Sequence, residues 1–240
     1  TIHTPEGALW AKEHGISRVV VSRELSRKEI AAICKTGIEV ETFVHGALCM
    51  SVSGQCGLSA MIGSRSANRG RCAQACRLPF SAKGDKNGCA LSLKDLCLVP
   101  YVAELAEDGV ASLKIEGRCK RPEYVAAAVT ALVQARAGET PDLDTLRAVF
   151  SRSGFTDGYY TGKRQQMFGT RQKDDVLQGQ KVLPQLAQLY QKPTPQVPLD
   201  MHVTVQTGQP AVLKLRDGDG ISVSVSGDVV PVSYTHLTLP

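Results

Sequence analysis

The chain has 240 residues, is 42% hydrophobic and carries a formal net charge of +5. That length supports one substantial core, or one core with a small module, and the composition excludes disordered and fibrous chains. No apolar run nears the roughly 18 residues a membrane helix needs and the start does not read as an export signal, so a cytoplasmic location with no membrane partner is the expectation.

Residues 1–22 open inside a helix-to-strand unit, which is the expectation for a chain lacking an amino-terminal portion. Pro5 to Gly15 reads as a helix with Pro in its first turn, Gly as its stop, Ala8, Leu9 and Ala11 inward and Trp10 in the core. Arg18 to Ser22 is a short β-branched run, read as a buried strand. Ser26 with Glu29 three residues on forms a capping box before Ile30, Ala31 and Ile33. Glu39 to His45 follows as a second strand. Further on, 90–93 is a strand candidate, 100–107 a helix, and Ser112 to Glu116 a strand. Pro122 opens a long helix with Val125, Val129, Leu132 and Val133 on one face, and 142–151 is one more helix. The alternation predicts an α/β fold: a partial TIM-like (βα) barrel, its second half, over residues 1–150. Residues 151–197 read as a connecting loop and linker. Residues 198–231 alternate strictly around turn sequences, as in a small antiparallel β module. The final stretch, 232–240, abandons that grammar and reads as a non-native tail.

Within the first region, a Cys-rich insertion spans 46–84. Cys49, Cys56, Cys72 and Cys76 are half of the chain's eight cysteines. In a chain without an export signal, ligation explains them better than disulfides. Four thiolates can hold tetrahedral zinc or an iron–sulfur cluster, and the spacing leaves both open. From Thr42 to Gly84 there is no Asp or Glu, while Arg65, Arg69, Arg71, Arg77 and Lys83 are present. Those four arginines are candidate RNA-binding residues; the competing reading is that they offset thiolate charge. Cys34, Cys89, Cys97 and Cys119 read as structural, with Cys97 as a reserve ligand.

Alternation places Glu41, Phe43 and His45 on one strand face, and Lys114, Glu116 and Arg118 on another. Charged faces at strand ends mark an interior that opens onto a site, so Glu41, His45, Lys114, Glu116 and Arg118 are the candidates for catalysis. The five histidines show no HxxxH-type spacing and no G-x-S-x-G elbow is present, which leaves neither a His-rich zinc hydrolase nor a serine hydrolase.

The run Glu41-x-Phe43-x2-Gly46-Ala47-Leu48-Cys49-x4-Gly54-x-Cys56-x-Leu58-Ser59 resembles the signature of the collagenase-like peptidase family, U32. The blocks RSANRGRCAQACRLPF, LSLKDLC and SLKIEGRCKRPEYV are similar to its later motifs. The resemblance implies a βα-barrel enzyme with a [4Fe–4S] cluster on Cys49, Cys56, Cys72 and Cys76. It also implies hydroxylation of an RNA base, a ribosomal cytidine by the appended β module, with ribosomal or transfer RNA as partner. In that scheme His45 or Glu116 handles protons while Lys114 and Arg118 bind an anionic substrate. The alternatives are a collagenase-like protease with structural cysteines, and an RNA-binding module without chemistry.

Overall fold

A computed structural model describes residues 1–53, 55–80, 88–118, 120–190 and 198–231. Gly54, Cys119, residues 81–87, which include the end of the expected insertion, residues 191–197 of the expected connecting loop and linker, and the tail expected at 232–240 lie outside the described residues. The chain divides into two compact units, residues 1–191 and 192–240.

In the first unit, α1 (Pro5–Glu13) starts where Thr4 Oγ1 accepts the Gly7 N–H at 3.2 Å. It leads to β1 (Arg18–Val20), α2 (Arg27–Cys34) and β2 (Glu39–Ala47). The Glu29 carboxylate accepts the Ser26 N–H at 2.7 Å, which starts α2 where the sequence places it. Then come α3 (Leu58–Gly63), β3 (Asp95–Cys97), α4 (Val102–Glu107), β4 (Ser112–Glu116) and α5 (Pro122–Arg136). The unit ends with α6 (Leu143–Val149), β5 (Phe155–Thr156), α7 (Gly158–Thr161) and α8 (Lys173–Ala187).

Strand β2 organises the sheet. It pairs in parallel with β1 through residues 39–41 and with β4 through residues 41–46, and antiparallel with β3 through residues 45–47. A strand has two edges, and only the β1 and β3 registers do not overlap. These two therefore share one edge of β2 and β4 takes the other. β5 extends the sheet in parallel beyond β3. The fold is mixed α/β, and no ring of strands closes among the described residues. Ile30 and Ile33 of α2, Val40 and Val44 of β2, Leu105 of α4, Ala128 of α5 and Leu146 of α6 are buried in one core. Each such aliphatic larger than alanine contributes about 1.5–3 kcal/mol when fully buried.

Five expectations change. Trp10 is 61% exposed and stacks on His14 with ring centroids 4.0 Å apart, because Ala8 and Ala11 form the side of α1 that packs inward. Leu9, on the same helix, is exposed as well. In α5 the buried face is Tyr124, Ala127, Ala128, Ala131 and Leu132, while Val125, Val129 and Val133 face outward. Alanine lets the helix axis come close to its neighbours, which the larger valines would hold off. The strand expected at 90–93 forms instead at 95–97, and α8 arises in a stretch that carried no helix in the sequence reading.

The second unit is the expected antiparallel module: β6 (Leu199–Thr204), β7 (Pro210–Asp217) and β8 (Ser222–Val229). Its register aligns Met201, Leu215 and Val223, and likewise Val203, Leu213 and Val225, on one face. His202, Lys214 and Ser224 align on the other. Among the described residues no helix is long and apolar enough to cross a membrane.

Candidate functional site

Glu41 and Phe43 on β2 lie opposite Ser112 and Lys114 on β4. Lys114 Nζ donates to Glu41 Oε1 at 2.5 Å and Ser112 Oγ donates to Oε2 at 3.0 Å. The Lys114 hydrogen bond holds the Glu41 carboxyl below its ordinary range. Lys114 also sits 5.5 Å from the Phe43 ring centre. Its charge is thus already matched by Glu41, and an anionic ligand would have to compete for it.

His45 does not share that face. The β2–β4 register slips after Phe43, so His45 stands opposite Ile115, and only Gly46 returns to the Glu116 side. The extra residue of this bulge, Val44, turns the histidine into the core. There it is 1% exposed, stacked on Tyr124 at 5.4 Å and edge-on to Phe155 at 5.3 Å. Neither ring nitrogen has a hydrogen-bond partner among the described residues. Burial, with the charge of Lys120 added, pushes its pKa down to about 4, against the opposing Leu96 backbone. The expected proton carrier is therefore a neutral, enclosed ring.

Gly46 holds a φ of +126°, and a Cβ placed there would meet the Glu116 carbonyl oxygen at 2.5 Å. This close approach needs a glycine. It brings the end of β2 against the end of β4, from which Arg118 extends. The Glu116 carboxylate accepts the Arg118 N–H at 2.9 Å, and the Arg118 guanidinium lies against Gly70 in the cysteine loop. Arg118 is the predicted residue that does reach the thiols' segment.

In that loop, Cys49 stands two residues beyond the end of β2. Ser59 of α3 is buried; its Oγ accepts the Ala73 N–H at 3.1 Å and lies 4.0 Å from Cys72 Sγ. The Gln74 N–H donates to Cys72 Sγ at 3.3 Å, with Gln74 itself in the left-handed region. Burial raises the Cys76 thiol pKa, Arg77 opposes this, and Cys49, Cys72 and Cys56 each raise it further. All four thiols therefore share one electrostatic neighbourhood. Among the described residues no three potential ligands stand at metal-holding separations. In kind, the donors fit a thiolate-bound centre: three thiols whose charge is felt at Cys76, and an amide already aimed at the Cys72 sulfur. Cys97, by contrast, is buried in the core with its thiol pushed up to about 11 by burial.

Arg65, Arg69 and Arg71 are exposed on the loop, whereas Arg77 turns inward. Its guanidinium donates to Ser92 Oγ at 3.0 Å, to the Leu93 carbonyl at 2.6 Å and to the Leu48 carbonyl. The expected phosphate contact at Arg77 is corrected to an internal clamp. Behind it, Asp95 of β3 pairs with Arg152, both buried. Sequence reasoning passed over these two: Asp95 lies in the quoted LSLKDLC block, but Arg152 is an ordinary charge in a polar stretch.

The model of peptidase family U32 matches residues 1–168, and the chain belongs to that family. It is 33% identical to the 23S rRNA 5-hydroxycytidine C2501 synthase of Escherichia coli, over 95% of this chain and 36% of that protein. It is 36% identical to a collagenase of Porphyromonas gingivalis, over 61% of this chain and 42% of that protein. It is 41% identical to the tRNA hydroxylation protein P1 of Bacillus subtilis, over 50% of this chain and 31% of that protein. The chain thus spans less than half the length of these relatives. No solved structure matches it.

Proposed function

We propose that this chain is part of an RNA base hydroxylation enzyme of the ribosomal cytidine type, with a [4Fe–4S] cluster on Cys49, Cys56, Cys72 and Cys76. The observation that carries the reading is coverage. The match to the ribosomal RNA synthase spans 95% of this chain, while those to the collagenase and the tRNA hydroxylation protein span 61% and 50%. In this reading β1, β2 and β4 are successive strands of a βα barrel and the thiol loop leaves its carboxyl end. A bound cluster would supply redox or Lewis-acid chemistry. Arg65, Arg69 and Arg71, exposed around it, would hold the RNA backbone, and Arg118 would place an anionic group against Gly70. Glu116, not His45, is the carboxylate positioned to handle a proton near the loop.

The test is mass spectrometry of ribosomal and transfer RNA from a strain lacking the gene, beside iron and sulfide assay of protein purified without oxygen. A missing hydroxycytidine and about four irons per chain are expected. Unchanged RNA, or stoichiometric zinc without iron, would overturn the reading. The collagenase resemblance supports a second reading, proteolysis; gelatin cleavage by metal-free protein that survives loss of Cys72 would establish it.

A further inference from the structure

A cavity of about 480 Å³ opens where the start of α5 meets α6 and α8, lined by Lys120, Arg121, Tyr124, Phe150, Arg171 and Gln180 together with aliphatic side chains. That size falls in the range of small-molecule sites, about 300–1,000 Å³. Among the described residues no carboxylate lines it. Lys120 Nζ sits 3.0 Å from the centre of the Phe150 ring and 5.6 Å from that of Tyr124. The Arg171 guanidinium lies 4.2 Å from the same Phe150 ring, and Arg152 stands 5.0 Å from it. Of these cations, Arg152 has a partner in Asp95. Lys120, Arg121 and Arg171 form no ion pair among the described residues.

The nearby carboxylates each use one oxygen on another partner. Asp95 serves Arg152, Glu123 Oε1 accepts the Tyr190 hydroxyl at 2.7 Å, and Asp175 accepts the Gln172 N–H at 2.8 Å. Arg171 Nε is buried with no hydrogen-bond partner among the described residues. Burial first, then the neighbouring Arg152, push the Lys120 pKa down to about 8. Like charges held together in a partly buried place are costly; Asp95, Asp175 and Glu123 offset Lys120, Arg171 and Arg121 only from beyond ion-pair contact, and a bound anion lowers the remaining cost. The positive end of the fifteen-residue helix α5 adds to the same field.

We infer that this cavity is a nucleotide site. Lys120, Arg121 and Arg171 hold the phosphate of a nucleoside monophosphate unit, and its ring lies against the Phe150 and Tyr124 side. An inorganic anion would leave most of the volume and the aromatic wall unused, whereas a phosphate joined to a planar base matches both. The inference goes beyond the proposed hydroxylation: the unit can belong to an RNA strand or to a free nucleotide.

Calorimetric titration of the 240-residue chain with CMP and AMP tests it, with cytidine and inorganic phosphate as separate probes. Both monophosphates are expected to bind, each at least about 10-fold more tightly than cytidine or phosphate. Lys120→Met and Arg171→Gln are each expected to weaken CMP about 10-fold or more, the scale of one lost charge-assisted hydrogen bond. Lys120→Met keeps the packing of the side-chain stem and removes a half-buried charge, so its melting temperature should hold or rise. Displacement of CMP by a short single-stranded RNA would assign the unit to RNA, and failure to displace would assign it to a free nucleotide. No CMP binding, binding indifferent to both substitutions in folded protein, or phosphate binding as tight as CMP would overturn the site. Each of these readouts is independent of whether any RNA is hydroxylated.

Discussion

His45 makes the fold acid-sensitive in a way that can be measured. Its ordinary pKa of 6.5 falls to about 4 in the folded chain because the ring is enclosed. A histidine depressed in this way stays neutral when folded but takes a proton when unfolded. Stability is therefore complete above about pH 6.5 and is lost as pH falls from there to about 4. A difference of 2.5 between those two values corresponds to about 3.4 kcal/mol in full, at 1.36 kcal/mol for each unit, and about 2.5 kcal/mol is lost between pH 7 and pH 4.5. Carboxylates titrate over the same range, so the comparison must be between the chain and His45→Phe. Phe keeps the stacking on Tyr124 and the edge contact with Phe155 and has no proton to take up. Urea denaturation at pH 7 and pH 4.5 should show the variant losing about 2 kcal/mol less than the parent chain. Equal losses in both would refute the argument, and so would an NMR titration of His45 with a midpoint near 6.5.

Gly46→Ala should destabilise the chain by about 2–5 kcal/mol, combining backbone strain with a methyl driven into the Glu116 carbonyl; a denaturation midpoint equal to that of the parent would contradict the close approach. Asp95→Ala leaves Arg152 buried and unpaired, and should cost about 3–5 kcal/mol by urea denaturation, with Asp95→Leu/Arg152→Leu recovering much of the loss. If the double variant is no more stable than the single one, the pair is not the source of the loss. Cys76→Ser should reduce iron and sulfide in anaerobically purified protein by more than half, whereas Cys97→Ala should leave both unchanged. The reverse pattern would move the centre to the core cysteine.

The elements that could be read along the chain are those with local signals. The Ser26 and Glu29 box, Pro122 at the start of α5 and the run from Ser112 to Glu116 all appear where the residues place them. Strand β3 is three buried residues whose Asp95 is matched by Arg152, 57 positions later, so no local pattern marks it. Strict alternation put His45 beside Glu41, but a single bulged residue reverses the faces beyond it, and bulges depend on the partner strand. Cysteine spacing made the thiol loop visible. Charge alone does not give direction, so Arg77 was grouped with arginines that face solvent, although its own guanidinium points inward. The cavity at Lys120 was missed for a related reason. Its cations come from residues 120, 121 and 171, which only the packing of α5, α6 and α8 brings together.

The Arg77 clamp also bears on the order in which a centre on the loop could assemble. By bonding the Leu48 carbonyl, Arg77 acts as a non-covalent cross-link between positions 29 residues apart, each adjacent to a thiol of interest, Cys49 and Cys76. Closing a loop of that length costs about 3 kcal/mol before its constant term. The folded chain meets that cost through the Arg77 hydrogen bonds themselves. Cys49 and Cys76 are thereby tied to the sheet in advance, so a centre proposed on these thiols would meet two of its four donors already placed.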